Sequence, residues 1–366
     1  MQKMLPATKL QPGRTLVIDG PASLRLIDGE ASCFGGLLVP NRLVLVKRER
    51  RVPVESSTGA SLEIKTGEDA IIREIQSSTI PGSWVEAGQI VQQARGTVVV
   101  LGDVNSGKSS LSTYLANVCH SNSLTVTVVD ADIGQADIGP PTTVSGASLV
   151  DVVYSLQELT PEVSFFVGDT SPSLVTEKVS LGAIMVRSHL PSTDVTIVNT
   201  DGWIEGVEGL TYKLKLLKAL EPNIVLGLGV DPKLDPILDA QSCTVLKLGQ
   251  SEYARPRNRE ERKRARELGY KRFLDGSKRR ELRLDELSVR PFTRSEPLDI
   301  STVRPMRGIL TGLIGSDGML LGISRLLSVR GRKMSLETKV QDIPSAVELG
   351  AVRLSPDYEE YGYIHM

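Results

Sequence analysis

Four stretches of this 366-residue chain carry side chains whose type and spacing could do chemistry. In the first, the apolar run 97–101 breaks into Gly102, Asp103, Val104, Asn105, Ser106, Gly107, Lys108, Ser109 and Ser110, a glycine-bounded loop ending in Gly-Lys-Ser. Glycines at 102 and 107 allow a turn whose backbone N–H groups face a phosphate. Lys108 then reaches the β- and γ-phosphates, and the Ser109 hydroxyl is placed to ligate Mg²⁺. The second stretch is an apolar run ending in Asp130 and Asp132. Alternate residues of an extended chain share a face, so one carboxylate can hold a metal's water shell while the other accepts a proton. The third comprises two more run ends, Gly168-Asp-Thr170-Ser171-Pro172 and Asn199-Thr200-Asp-Gly202-Trp203. The chain has only two tryptophans, and one at the rim of a site can stack on a base. The fourth is the arginine-rich arm 253–270, containing Arg257 and Arg262. Such guanidinium groups can close over a transferring phosphoryl group and neutralise its developing charge.

These groups need elements to position them. After the loop, Leu111, Leu115 and Val118 recur at helical spacing, which predicts a helix packed on a sheet with its positive N-terminus toward the phosphate. Apolar runs at 97–101, 125–130, 163–167, 195–199, 223–227 and 243–248 alternate with helix-length segments. They read as buried strands of a parallel sheet, with active groups gathered at the carboxyl ends. A helix is predicted over 207–220, with Leu210, Leu214 and Leu217 on the buried face, Lys213, Lys215 and Lys218 elsewhere, and Pro222 ending it. On either side the pattern changes to short β stretches. Asp-Gly pairs at 19–20 and 28–29 read as hairpin turns, and the turn 315–318 joins strand-like runs 306–314 and 319–324, with another at 326–330. The expected architecture is therefore α/β: a central P-loop domain over 93–285 with a parallel sheet, flanked by small all-β domains at 1–92 and 286–366. The basic arm, about 253–280, is expected to be helical after Pro256 and anchored by little beyond Ala265 and Leu268, hence mobile like a lid.

Composition bounds the partners. The net charge is −1, yet 255–280 holds twelve Lys or Arg against four Asp or Glu, leaving a body of 31 basic and 40 acidic residues. The arm is thus where a polyanion would be met. Cys33, Cys119 and Cys243 are widely spaced and odd in number, which suits small buried residues rather than disulfides or a zinc site. No apolar run approaches the roughly 20 residues of a membrane span, and the N-terminus lacks the apolar core of a secretion signal. A soluble, cytoplasmic protein without membrane contact is expected.

Taken together, the motifs resemble the polyribonucleotide 5′-hydroxyl-kinase family along nearly the whole chain, including the β–kinase–β order. Asp132-Ile-Gly-Gln135 matches the family's Asp-x-Gly-Gln, which implies that Asp132 is the general base and puts Gln135 with the substrate. Ser109, Asp130 and Asp132 are then the metal-side oxygens. Thr200-Asp-Gly202-Trp203 matches the Thr-x-Gly-Trp clasp that holds terminal nucleotides, Thr170-Ser171-Pro172 matches a Thr-Ser-Pro loop near the acceptor, and Arg257 and Arg262 match the lid's Arg-x-x-x-x-Arg. The compact length is similar to that of archaeal single-chain members. The resemblance implies transfer of the γ-phosphate of ATP, with Mg²⁺, to 5′-OH ends of RNA, with DNA also admitted, in RNA processing or repair. It also admits RNA-processing protein partners and leaves the oligomeric state open. The alternative of a different class is an ATP-bound, non-catalytic scaffold of an RNA-processing complex. A GTPase is disfavoured, because Asn199-Thr-Asp201 lacks the lysine of Asn-Lys-x-Asp.

Overall fold

Seven strands build the central sheet, in the order Val163–Phe166, Thr143–Ser148, Val126–Ala131, Val195–Thr200, Gly96–Gly102, Ile224–Leu228 and Thr244–Leu248. The computed structural model describes residues 3–4, 8–229, 232–293, 296 and 306–364, so part of the N-terminus read for a leader lies outside the described residues. The last five strands in that order run parallel. Both faces of these strands are covered, which explains their unbroken apolar runs: Val98 and Val100 pack with the helices Gly82–Ala94 and Lys108–Ser121, while Val99 and Leu101 pack with Thr176–His189 and Gly206–Leu220.

Thr143–Ser148 and Val163–Phe166 correct the expected all-parallel order. Each pairs antiparallel with its neighbour, so the run at 163–167 forms an antiparallel edge. Thr143–Ser148 itself reads Thr-Val-Ser-Gly-Ala-Ser and has no apolar run to announce it. Its hydroxyl groups are buried because they satisfy one another: Thr143 Oγ1 lies 2.9 Å from Ser145 Oγ, which lies 2.8 Å from Ser164 Oγ.

The N-terminal residues form two five-stranded sheets around one apolar core. The Asp-Gly pairs there are not hairpin turns. Arg14–Asp19 pairs with Arg51–Ser56 and Ile71–Ile75, whereas Ala22–Gly29 lies in the other sheet, so the chain crosses the sandwich at 19–20 and again after 28–29. Buried faces on both sheets, rather than local turn chemistry, choose these partners. The helix Gly82–Ala94, within residues read as β, places Trp84, Ala87 and Val91 against the central sheet. In the C-terminal sheet the runs 319–324 and 326–330 are one strand, Leu320–Arg330, with its register interrupted between Leu326 and Ser328. The 315–318 turn does close a hairpin, with the Gly315 amide donating to the Met319 carbonyl at 2.8 Å. The basic strand Lys278–Arg283 pairs into this sheet.

The arginine-rich arm is helical over Arg259–Leu274. Asn258 and Glu261 exchange side-chain and backbone hydrogen bonds at its N-terminus, each at 2.9 Å. Its anchors differ from those expected. Leu268 is exposed, while Tyr270 and Leu274 are fully buried among Phe166, Leu310 and Ile323. Arg266 grips Glu360 through two bonds of 2.6 and 2.8 Å, and Arg264 reaches Glu49 at 3.2 Å, so both flanking sheets hold the helix. Among the described residues no helix is long and apolar enough to cross a membrane.

Tyr270 is therefore the hydrophobic anchor of the arm. Tyr270→Ala should cost about 3 kcal/mol, and amides of 259–274 should exchange with solvent faster than those of the central sheet when followed by hydrogen-exchange mass spectrometry.

Candidate active site

The phosphate loop takes the conformation its glycines permit. Asn105 and Gly107 both have positive φ, 64° and 101°, and the helix Lys108–Ser121 begins directly after Gly107. The Lys108 ammonium is turned back onto its own loop, donating to the Gly102 carbonyl at 3.0 Å and the Asp103 carbonyl at 2.8 Å. Asp103 Oδ1 accepts from the Val104 amide at 2.6 Å. Burial holds the Lys108 pKa down to about 8, against the opposing pull of Asp132. Ser106 is buried and its hydroxyl has no partner.

Lys108, Ser109 and Ser110 open into a cleft of about 430 Å³. Val104, Asn105, Gly107, Asp132, Gln135, Thr170, Ser171, Gly202, Trp203, Arg257 and Arg262 line it too, so residues from four distant stretches share one cavity. Five expected site residues, Gly102, Asp103, Ser106, Thr200 and Asp130, are not in its lining. Thr200 is fully buried and donates to the Val100 carbonyl at 2.8 Å. Asp130 has both oxygens occupied: Oδ1 accepts from Asn199 Nδ2 at 3.0 Å and the Asp132 amide at 3.3 Å, and Oδ2 from the amides of Asp137 and Ile138 at 2.6 and 3.2 Å. A carboxylate saturated this way organises the loop 132–138 and offers no open lone pair to a ligand.

Asp132 is arranged differently. Its Oδ1 accepts from the amides of Gly134 and Gln135 at 3.2 and 2.9 Å, while the residue lines the cleft. Burial, then the neighbouring Asp201, pushes its pKa up, with Lys108 pulling the other way. Gln135 spans from the Gly134 carbonyl, at 2.6 Å, to the Arg262 carbonyl, at 3.3 Å. Asn105 pairs its side-chain amide with the backbone of Arg257 in both directions, at 3.2 Å each, tying the phosphate loop to the arm. Burial, then repulsion from Arg50, lowers the Arg257 pKa to about 10, so it stays charged near neutrality.

The tryptophan loop rests on a buried ion pair that helical periodicity had hidden. Helix Gly206–Leu220 buries Gly209, Tyr212, Lys213, Leu216, Leu217 and Leu220, a stripe rotated from the one expected. Lys213, expected off the buried face, has no exposed surface: its ammonium sits 2.9 Å from Asp201 Oδ2 and donates to the Asp201 carbonyl at 3.0 Å. The Tyr212 hydroxyl donates to the same carboxylate at 2.7 Å, and Asp201 Oδ1 accepts from the Trp203 amide at 2.9 Å. Trp203 stacks on Tyr212 with ring centroids 6.0 Å apart. A Cβ at Gly202 would stand 2.6 Å from the Val104 nitrogen, so only glycine lets this loop touch the phosphate loop. On the opposite wall, Asp169 Oδ1 accepts from the amides of Thr170 and Ser171 at 2.6 and 3.1 Å.

Sequence reasoning also missed four cations. Arg50 and Arg51, from the N-terminal sheets, and Arg255 and Arg266, from the arm, line the cleft. Arg50 bonds Asp137, whose pKa falls below the usual carboxylate range because Arg50 and then Arg257 outweigh its burial. The signal for the first two was present as Lys47-Arg-Glu-Arg-Arg51, four cations in five positions within an otherwise alternating β pattern. A small apolar cavity, lined by Val17, Phe34, Pro53, Ile80 and Trp84, opens beside Gly107 and Ser110.

Comparison with known proteins adds to this geometry. Residues 102–276 match the family model described as the P-loop of mRNA cleavage and polyadenylation factor CLP1. The polyribonucleotide 5′-hydroxyl-kinase of Pyrococcus horikoshii is 27% identical over 320 residues, spanning 73% of this chain and 88% of that protein. Its counterpart in Methanocaldococcus jannaschii is 31% identical over 216 residues, 58% of this chain and 60% of that protein. The CLP1 homolog of Arabidopsis thaliana is 24% identical over 295 residues, 72% of this chain and 66% of that one. Clp1p, solved in complex with Pcf11p, superposes with a TM-score of 0.74 at 15% identity over 96% of this chain and 98% of that chain, so the two share a fold.

Two measurements probe this site. Lys213→Met leaves Asp201 buried without its cation and should cost about 3–5 kcal/mol, part of which Asp201→Asn should restore in the double variant, as read by denaturant unfolding. The Lys108 ammonium is present below pH 8 and lost above it, and a phosphate binds the charged form. ADP affinity measured in EDTA by calorimetry should therefore fall about tenfold per unit above pH 8, a step absent from Lys108→Met.

Proposed function

Because residues 102–276 match the CLP1 P-loop family model and most of the chain is similar to archaeal polyribonucleotide 5′-hydroxyl-kinases, we propose that it transfers the γ-phosphate of ATP to the 5′-OH end of RNA. The observation that carries this reading is the single cleft in which Lys108, Ser109, Asp132, Trp203, Arg257 and Arg262 meet. A phosphate cradle alone accepts a nucleotide. A carboxylate and a tryptophan facing it supply what an alcohol acceptor attached to a base requires.

The residues divide the work as follows. Lys108 exchanges its bonds to the Gly102 and Asp103 carbonyls for the β- and γ-phosphates, and the amides of 104–110 complete the cradle. Asp132, with one oxygen pinned by two amides and its pKa raised, takes the proton of the 5′-hydroxyl as that oxygen bonds the γ-phosphorus and the β–γ bridge breaks to release ADP. Arg257 and Arg262 neutralise charge spread over the equatorial oxygens. Trp203 stacks the terminal base, with Gln135, Thr170, Ser171 and Gly202 around the acceptor, while Thr200 and Asp130 act from below as positioning residues.

The donor set fits Mg²⁺. Asn199 Oδ1 is buried without a partner, and Asn199 Nδ2 lies 3.5 Å from the Ser109 hydroxyl. Among the described residues no cluster of three or more His, Cys, Asp or Glu forms a metal cage. Ser109 and Asp132, both lining the cleft, are the oxygens that would hold the ion. When bound, the ion would supply positive charge that offsets the charge on the phosphates.

The division into 1–92, 93–285 and 286–366 belongs to the same reading, with the outer parts bracing the arm. The fold neighbour Clp1p was solved in complex with Pcf11p, and a protein partner for this chain belongs to the same reading.

Purified protein incubated with γ-labelled ATP, Mg²⁺ and 5′-OH oligonucleotides should label RNA, with DNA as the parallel arm. Asp132→Asn should lower kcat by about 10³-fold with ATP affinity retained, Arg257→Ala should lower kcat at least as much, and Trp203→Ala should raise the RNA KM about tenfold. No label on either oligonucleotide would instead support the ATP-bound scaffold, and full activity in Asp132→Asn would remove it as the base.

A further inference from the structure

Beside the cleft, and sharing Arg50, Arg51, Ser109 and Ser110 with it, lies a second cavity of about 320 Å³ between the N-terminal sheets and the central domain. Two carboxylates line it. Glu158 is paired with Arg42 at 3.0 Å, whereas Asp137 lies against Ser109. Asp137 is only 2% exposed, yet the division of work among Lys108, Asp132, Trp203 and the arm arginines leaves it without a task.

The loop 132–138 delivers this side chain. The Asp137 amide donates to Asp130 Oδ2 at 2.6 Å, which fixes the backbone from which the carboxylate projects. Its Oδ1 accepts from Arg50 and, at 3.2 Å, from Gln157 Nε2. The Ser109 hydroxyl is a further donor to the same carboxylate. Burial disfavours the ionised form, yet Arg50, then Arg257, then the Ser109 bond hold the Asp137 pKa below the ordinary carboxylate value. Asp137 is therefore an anion at neutral pH.

A serine hydroxyl has one proton and two lone pairs. With the proton committed to a carboxylate, both lone pairs are free to face a cation. Without that acceptor the hydroxyl rotates and can aim its proton at the ion. Asp130, the carboxylate that ends the strand, is not free for this duty, because Asn199 and three backbone amides occupy both its oxygens. Asp132 is held by the amides of Gly134 and Gln135 in the wall of the cleft. Asp137, seven residues after Asp130, is the acid that meets the Ser109 hydroxyl from behind.

We propose that Asp137 is a positioning residue for Mg²⁺: it accepts the hydrogen bond of the Ser109 hydroxyl, turns that oxygen's lone pairs toward the ion, and adds a negative charge behind it. This rests on the reading of Ser109 as an oxygen that holds the ion. Arg50 balances the Asp137 charge from the N-terminal sheets, so that part of the chain reaches the metal side of the site. Gln157 keeps the carboxylate in register by bonding the same oxygen as Arg50.

The test titrates Mn²⁺ into the purified full chain mixed with an equimolar non-hydrolysable ATP analogue, and reads the free ion from its EPR signal. Asp137→Asn should weaken Mn²⁺ binding at least about tenfold, with the analogue's own affinity in EDTA, read by calorimetry, unchanged. Because Asp137→Asn leaves Arg50 without its anion, Asp137→Asn/Arg50→Gln removes both charges and should bind Mn²⁺ as weakly. Arg50→Gln alone keeps Asp137 and should bind Mn²⁺ at least as tightly as the parent. A bracing role exercised only through Arg50 would instead make Arg50→Gln as weak as Asp137→Asn, and that result overturns the proposal. Parental Mn²⁺ affinity in Asp137→Asn overturns it too, as does an equal fall in the analogue's affinity in EDTA. If Asp137→Asn does not fold, the double variant decides, and parental Mn²⁺ affinity there removes Asp137 from this role. A parent chain with no nucleotide-dependent Mn²⁺ site removes the metal reading of Ser109 itself, and the proposal with it.

Discussion

Burying charge at the carboxyl edge of the central sheet is the constraint to which the rest of this structure answers. Asp130 and Asp201 at or just beyond strand ends, Asp137 in the loop between, and Asp132 in the cleft wall crowd together, and isolated carboxylates in such a place are costly to desolvate. Each is met by a different device. Asp130 is saturated with backbone amides and Asn199, Asp137 takes Arg50 from the N-terminal sheets, and Asp201 takes Lys213 and Tyr212 from a helix behind the sheet. Asp132 lines the cleft with its pKa raised by burial and then by Asp201, as burial also raises that of Asp130 beneath it, and among the described residues it has no arginine or lysine bonded to it. A group left incompletely neutralised among neutralised neighbours is where proton transfer is placed most readily.

The same accounting explains the three-part architecture. The phosphate loop supplies two of its own carbonyls to Lys108, whose charge also acts on Asp132, but it supplies none of the arginines around the loop 132–138. Those cations come from outside: Arg50 and Arg51 from one side, Arg255, Arg257, Arg262 and Arg266 from the arm. The arm cannot stay in place by charge alone, since its exposed ion pairs are weak in water. Tyr270 and Leu274 in the core shared with the C-terminal sheet, and the paired Arg266 and Glu360, keep it over the cleft. The flanking sheets therefore serve the centre by holding cations where the centre's carboxylates and an incoming phosphate need them.

Legibility in the sequence followed the range of the interaction. The phosphate loop, its helix, the parallel strands and the 315–318 hairpin depend on contacts within a few residues or on faces buried on both sides, and their residue patterns announce them. Thr143–Ser148 was silent because its buried surface is made of hydroxyl groups that satisfy one another across strands. The Asp-Gly pairs mislead because a turn signal is local, while the choice between two sheets is decided by partners 31 to 44 residues away. Lysine ordinarily belongs in water, which puts Lys213 off the buried face by sequence, and only the carboxylate of Asp201, facing it from a loop 12 residues earlier, reverses that preference.

By itself the sequence determined which groups were available and where along the chain they sit: a phosphate loop, Asp132 after a strand, Trp203 after another, and an arginine-rich arm. Those assignments rest on local backbone chemistry, which glycine, proline and apolar periodicity encode directly. Tertiary structure alone decided which of the candidates face one cavity and which support it from beneath. Asp130 and Asp132 are two residues apart and chemically alike, yet one is saturated by its neighbours and the other is open to the cleft. That difference comes from which donors the fold brings within hydrogen-bond range, a property of position in space.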